Sequence, residues 1–455
     1  MSLRGKTARK DVDMTTGDIS RHLIMFALPL LFGNLFQQLY NMVDTWVVGN
    51  YVSNEAFSAV GTVGPIINML VGFFMGLASG AGVIISQYYG ARQYNRVHDV
   101  VHTSIVMTLV MVIFTSIMGI FLTPYLLRMM NTPPEVFPES MKYLRIIFSG
   151  IAGLMFYNMG SAILRAIGDS KRPFYFLMCA ALLNIVLDLL FIIKFHMGVE
   201  GVAYATIISM ITSAILTIIV LLRTDTCVKL TPKDLKIDMG ILKKIIFIGI
   251  PAALQMAITS FSNIFVQGYI NHFGADTMSG WTAYSKIDML MFMPMQSLAL
   301  AVTTFVGQNL GVGDVERAKK GVSISMRLAL TVTIISMIPV IIFAPNMVAF
   351  FNSKSEVIYY GTLFLRWITP FYLLSCANQI YSSALRGAGN TKAPMVIMLL
   401  SFVAFRQVYL FVMANFIANE ILPIAMGYPA GWLLCSLLTY TYYKKSDLSR
   451  TSVMN

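Results

Sequence analysis

Two aspartates stand where charge is expensive. Asp44, in the run Tyr40-Asn41-Met42-Val43-Asp44, lies deep in the first long apolar stretch, and Asp188, in Asn184-Ile185-Val186-Leu187-Asp188, lies near the middle of the fifth. A charged side chain at the centre of a bilayer costs at least about 2.5–3.5 kcal/mol, so such residues are retained for work on ions or substrates. Asn184 and Asp188 are four apart and share one helical face. Two carboxylates in one low-dielectric cavity repel each other, and a shared proton or a Na⁺ relieves the repulsion. Asn158 in the fourth stretch and Thr206 in the sixth supply neutral oxygens of the kind Na⁺ accepts. The expected site is therefore a cation-coupling one for H⁺, or for Na⁺ held by Asp44, Asn184, Asp188 and Thr206, with no other metal and no organic cofactor.

Other embedded polar groups carry weaker signals. Asp288 in the eighth stretch and Arg406 deep in the eleventh are candidates to line a substrate cavity, with Met289 and the neighbouring Met291, Met293 and Met295 as adaptable apolar wall. Arg145 and Arg366 read as snorkelling or capping residues. His98 and His102 have the i,i+4 spacing of metal ligands but open a basic helix end, and are read as structural. Pro29 sits inside the first stretch, where it removes a backbone hydrogen bond and permits a bend. Gly72, Gly76 and Gly80 share a helical face and predict close helix packing.

The elements that position these residues must be membrane helices. The chain is 57% hydrophobic and 12% charged, with a mean hydropathy of +0.71; a soluble domain carries roughly 25% charged residues. Stretches long enough to cross about 30 Å of hydrocarbon recur about twelve times, six per half: near 22–50, 56–88, 98–123, 143–164, 173–195, 200–222, 242–272, 278–308, 321–344, 357–385, 394–417 and 420–443. The net charge of +12 is not the footprint of nucleic-acid binding. Most of the 33 Lys and Arg fall in the tails and alternate loops, including Arg4, Lys6, Arg9 and Lys10, Arg92 and Arg96, the run from Arg223 to Lys244, and Lys444 and Lys445. By the positive-inside rule both termini are expected in the cytoplasm, and the protein in the plasma (inner) membrane. No cleavable signal is expected, since the first apolar stretch is too long for one. Four scattered cysteines, Cys179, Cys227, Cys376 and Cys435, give no disulfide framework or zinc spacing. No P-loop or GxSxG motif is present. An enzyme is not expected.

The chain also repeats itself. Leu164-Arg165-Ala166-Ile167-Gly168-Asp169-Ser170-Lys171-Arg172-Pro173 returns as Leu385-Arg386-Gly387-Ala388-Gly389-Asn390-Thr391-Lys392-Ala393-Pro394, an offset of 385 − 164 = 221. The same offset relates Gln87, Gly90 and Arg96 to Gln308, Gly311 and Arg317, and Leu144-Arg145 to Leu365-Arg366, while Pro29 and Pro251 match at 222. Two like halves are expected: 1–223, a polar cytoplasmic linker 224–241, and 242–455. The acids are not repeated. Asp44 falls on Val266, Asp188 on Tyr409, Asn184 on Phe405 and Thr206 on Gly427. Had the aspartates been structural glue, the copy would need glue too.

Asn41-Met42-Val43-Asp44-Thr45, Gly307-Gln308-Asn309-Leu310-Gly311 and the LRxxGDxKxP segment with its copy together resemble the multidrug and toxic compound extrusion (MATE) family of ion-coupled antiporters, over essentially the full length. The resemblance implies an all-α polytopic protein, with about twelve helices in two six-helix pseudo-symmetric bundles around a central cleft. It implies a secondary active efflux antiporter that exports organic cations or amphipathic compounds against H⁺ or Na⁺ by alternating access. Its partners would be membrane lipid and small-molecule substrates, and it would act as a monomer. The Asn184/Asp188 spacing is nearer the DinF-like branch than the NorM-like one. That branch's cation site carries over to Asp44, Asn158, Asn184, Asp188 and Thr206, with Tyr40 beside it. The NorM-like second-lobe acid of span seven falls at Gln255, which cannot titrate; Gln255 and Tyr40 are expected to line the substrate cavity instead. The alternative is a lipid-linked precursor flippase of the same superfamily, which favours a strongly cationic cavity; Arg406 is the residue that speaks for it.

Overall fold

The computed structural model describes residues 13–130 and 132–448; the basic head residues Arg4, Lys6, Arg9 and Lys10 lie outside them. Among the described residues every regular element is helical. The first half supplies α1 (Ile19–Tyr51), α2 (Asn54–Gly90), α3 (Tyr94–Met129), α4 (Phe137–Ser149), α5 (Ile151–Ala166), α6 (Lys171–Leu189) with a π-helical end Leu190–Lys194, and α7 (Val199–Arg223). The second supplies α8 (Met239–Asn271), α9 (Ala275–Val312), α10 (Val315–Ile342), α11 (Ala344–Phe351), α12 (Ser355–Ile368) and α13 (Tyr372–Gly387). It ends with the bulged helix Lys392–Ile417, whose regular parts are α14 (Lys392–Met398) and α15 (Arg406–Val412), then α16 (Ile421–Ala425) and α17 (Gly427–Lys445).

Ten of these helices are long and apolar enough to cross a membrane. The stretch expected at 143–164 is two helices, α4 and α5, bent by 47°, and counts as an eleventh span if the pair crosses together. The stretch at 357–385 is likewise divided, by a 3₁₀ turn at Thr369–Phe371.

The chain forms two compact units. One holds Leu28–Gly249 and the other Met14–Ala27 with Ile250 onward. Two of the changes of unit fall inside a continuous helix, just before Pro29 in α1 and just before Pro251 in α8.

The repeated motif has one local explanation in both copies. Gly168 (φ 89°) ends α5 and Gly389 (φ 91°) ends α13 in the left-handed region that glycine enters freely. Asp169 N donates to Leu164 O (3.0 Å) and Asn390 N to Leu385 O (2.9 Å), closing the same turn. The side chain then starts the next helix: Asp169 Oδ1 accepts from Arg172 N (3.1 Å), as Asn390 Oδ1 does from Ala393 N (3.2 Å). Elsewhere glycine lets helices touch. A Cβ on Gly80 would lie 2.7 Å from Gly249 N and 2.8 Å from Ile245 O, so α2 meets the first turns of α8 backbone to backbone.

The second copy of the glutamine motif holds the chain's described start. Gln308 Oε1 accepts from Met14 N (3.0 Å), Asn309 Nδ2 donates to Met14 O (3.3 Å), and Arg317 Nη2 donates to Met14 O (3.2 Å) and Gly17 O (2.9 Å). In the first unit the linker is fixed to α3 in a similar spirit. Thr231 N donates to His102 Nε2 (3.0 Å), Asp238 N to Thr103 Oγ1 (3.2 Å), and Lys236 reaches Asp99 (3.7 Å).

Candidate cation site in the first lobe

The first unit brings the two aspartates together. Asp44 on α1 and Asp188 on α6 lie within hydrogen-bonding reach of each other, and both are buried, Asp188 completely. Helix α6 places Asn184 one turn before Asp188 on the same buried face. Asp44 Oδ1, both oxygens of Asp188, and the oxygen and nitrogen of Asn184 are buried without a protein partner. Buried polar atoms are nearly always bonded, so this cluster calls for a proton, water or an ion to satisfy it. Four of these five atoms are oxygens and three are carboxylate oxygens, a donor set that fits a proton or a hard monovalent cation.

Tyr143 of α4 completes the surroundings and was not identified from sequence. Its ring is buried and its hydroxyl lies beside Thr206 of α7, within electrostatic range of both carboxylates. The only signal in the sequence was its place beside the repeated Leu144-Arg145 pair. Tyr40, one turn before Asp44, is buried against the same pair. Thr206 donates its hydroxyl to Val202 O (2.9 Å), which leaves its oxygen free to accept. Asn158 is half-buried and its amide bonds to Leu154 O in its own helix (2.9 Å); among the described residues no hydrogen bond joins it to the carboxylates. Pro29 lies in α1 about four turns before Asp44, and the helix runs unbroken through it.

The residues named in the second half lie in the second unit. Gln255 is buried and clamped: its amide donates to Thr391 O (3.0 Å) and its oxygen accepts from Arg386 (3.0 Å), both in the repeated motif. Met289 is 44% exposed. Asp288 accepts hydrogen bonds from Tyr284 (3.3 Å) and Tyr372. Arg406 is buried, with its guanidinium over the rings of Phe402 and Tyr428. The His98–His102 pair is joined by Asp234, with the three ligand atoms within 4.8 Å of one another. Both nitrogens of His102 already face backbone groups, His98 O (2.8 Å) and Thr231 N (3.0 Å), so the trio serves to hold the linker.

Comparison with known proteins places this arrangement in a class. The MatE family model matches residues 29–190 and again 251–412, one match per half. Probable multidrug resistance protein YoeA of Bacillus subtilis (strain 168) is 30% identical over 444 residues, covering 94% of this chain and 95% of its own. A FAD transporter of Shewanella oneidensis (strain MR-1) is 23% identical, covering 86% and 87%. A solved outward-facing multidrug resistance MATE family transporter of the MOP superfamily superposes with a TM-score of 0.90 at 24% identity, over 96% of this chain and 98% of that one. The fold is that of a multi-pass membrane transporter. The chain belongs to the MatE family.

Proposed function

We propose that this protein is a secondary active antiporter that exports organic cations or amphipathic compounds in exchange for H⁺ or Na⁺, of the DinF-like kind. The observation that carries the reading is the facing pair Asp44–Asp188 with its buried, unpartnered oxygens. A cation bound there neutralises the repulsion and changes the hydrogen bonding at α1. Drug affinity then falls, with α1 free to bend at Pro29. The ion must bind the two transport states differently, or it can drive nothing. Moving one charge through 100 mV supplies about 2.3 kcal/mol, and one pH unit supplies about 1.4 kcal/mol. Exchange of one H⁺ for one monovalent cation is electroneutral, so it gains the pH term alone. The names of the relatives support multidrug efflux, and the FAD transporter among them extends the substrates of this fold to an anion. Under this reading the protein sits in the cell membrane with both termini in the cytoplasm.

The test is efflux of a cationic dye from proteoliposomes under an imposed pH or Na⁺ gradient. Gradient-driven movement that Asp44→Asn abolishes supports the reading, and the effective gradient names the ion. Movement that survives Asp44→Asn removes the first-lobe site from the mechanism. No movement under either gradient, with correctly inserted protein, turns attention to a lipid-linked substrate.

A further inference from the structure

The copy of the ion-binding helix carries the opposite charge. At the repeat offset, 406 − 221 = 185, so Arg406 stands on Ile185, between Asn184 and Asp188. The first-half equivalent of Leu399–Phe405 is regular α-helix, whereas Leu399–Phe405 itself is π-helical. Such one-residue bulges turn the following side chain and recur at functional sites. Here the carbonyl of Phe402 accepts from Ser262 Oγ (2.5 Å) and Gln407 Nε2 (3.2 Å). Arg406, the next residue after the bulge, is 1% exposed.

Its partners are all neutral. Nε donates to Ser262 Oγ (3.0 Å) and Nη2 to Asn263 Oδ1 (2.9 Å), both on α8, the copy of α1. Phe402 and Tyr428 lie 5.3 and 4.8 Å from its guanidinium carbon. Among the described residues Arg406 has no ion-pair partner, and its Nη1 donates to no protein group. A buried cation without a counter-ion is costly. The two neutral hydrogen bonds and two rings offset only part of that cost and leave Nη1 unused.

An aromatic cage continues from Arg406. Tyr428 touches Trp281 (5.4 Å) and Trp432 (5.8 Å). Trp281 leads to Tyr284 (4.8 Å) and Trp432 to Tyr372 (5.5 Å), and both tyrosine hydroxyls end on Asp288. Asp288 is thus committed to two tyrosines at the far end and does not neutralise Arg406. Asn263, Asp288 and Tyr428 are half-buried, so the cage is not sealed.

We propose that Arg406, held in place by Ser262 and flanked by Asn263 and Tyr428, binds the acidic group of an aromatic organic anion, a carboxylate or sulfonate whose rings stack in the cage. The second lobe thereby recognises negative charge at the place where its twin holds a cation. The proposal rests on the transporter reading, though not on the identity of its coupling ion. A planar guanidinium suits such groups because it offers paired N–H donors in a fixed fork.

The test uses the full-length protein in detergent and two xanthene dyes of opposite charge, fluorescein as the anion and rhodamine 123 as the cation, read by fluorescence anisotropy. Wild type is expected to bind fluorescein, and Arg406→Gln to weaken that binding by at least about tenfold while rhodamine 123 still binds. Arg406→Lys should recover part of the loss, since it restores the charge without the fork. If Arg406→Gln does not fold, Arg406→Lys and Asn263→Ala carry the test, each expected to weaken fluorescein selectively. The proposal is overturned if wild type does not bind fluorescein, if these variants bind it unchanged, or if sulfate displaces it as readily as a second aromatic carboxylate. Fluorescein binding that persists where gradient-driven efflux fails would sink the antiport reading alone.

Discussion

Asp188→Asn should remove the protein's thermal response to its coupling ion. Five buried atoms of Asp44, Asn184 and Asp188 have no protein partner. Each buried polar atom left unpaired costs about 1–3 kcal/mol, which puts the ion-free cluster on the order of 5 kcal/mol below its potential stability. An ion that binds only the folded protein contributes about 2.7 kcal/mol at a hundredfold excess over Kd, well within that reserve. For a unit of roughly 200 residues this corresponds to a rise of about 5–10 °C in Tm. The assay is thermal unfolding of purified protein in detergent, with Na⁺ titrated against K⁺ at fixed ionic strength and, separately, with pH lowered from 8 to 5. The readout is the difference between wild type and variant, because acid protonates other groups in both. Wild type should gain stability with one of the two ions and Asp188→Asn should not. Without either ion the variant should be the more stable protein, since the like-charge pair is gone. If wild type responds to neither ion, or if Asp188→Asn and Asp44→Asn shift as far as wild type, the cluster is not the coupling site.

Other outcomes follow from the same geometry. Tyr143→Phe keeps the ring but loses the hydroxyl beside Thr206, and should weaken the ion response severalfold in that unfolding assay while leaving the fold intact. Gly80→Ala forces a methyl onto the backbone of α8 and should destabilise by about 1–3 kcal/mol; Gly64→Ala, with nothing within 4 Å, should gain up to about 1 kcal/mol from helix propensity. Opposite signs for one substitution in one helix are checked by paired Tm measurements, and equal signs would discredit the close packing at Gly80. Arg317→Ala strips the hydrogen bonds to Met14 and Gly17 and should cost about 1–3 kcal/mol. Limited proteolysis should then cut near residue 17 sooner than in wild type.

The sequence announced some of this architecture and concealed the rest, for reasons visible in particular residues. The repeat at offset 221 was legible as a motif, and only the structure gives it a local cause, glycine at positive φ in Gly168 and Gly389. Asp44 and Asp188 stood out because charge is costly in hydrocarbon, and the structure brings them face to face. Tyr143 was silent, since an aromatic in an apolar stretch is ordinary, and its neighbour Thr206 lies on another helix far along the chain. Gln255 illustrates the converse: position alone suggested a cavity, but its amide is matched to Thr391 and Arg386 far along the chain. Arg406 stood out as an embedded charge, but the bulge at Leu399–Phe405 that precedes it has no proline or glycine to mark it.

The chain's first described residues also impose an order on its biosynthesis. Met14 leaves the ribosome 294 residues before Gln308, which receives its backbone N–H. The segment Met14–Ala27 belongs to the unit built from the second half, and the first turns of α8 belong to the unit built from the first. Neither half of the gene therefore encodes a self-sufficient body. A nascent first half must wait with its leading turn unplaced until the second half is inserted, and a split at the linker would leave each fragment holding a piece of the other.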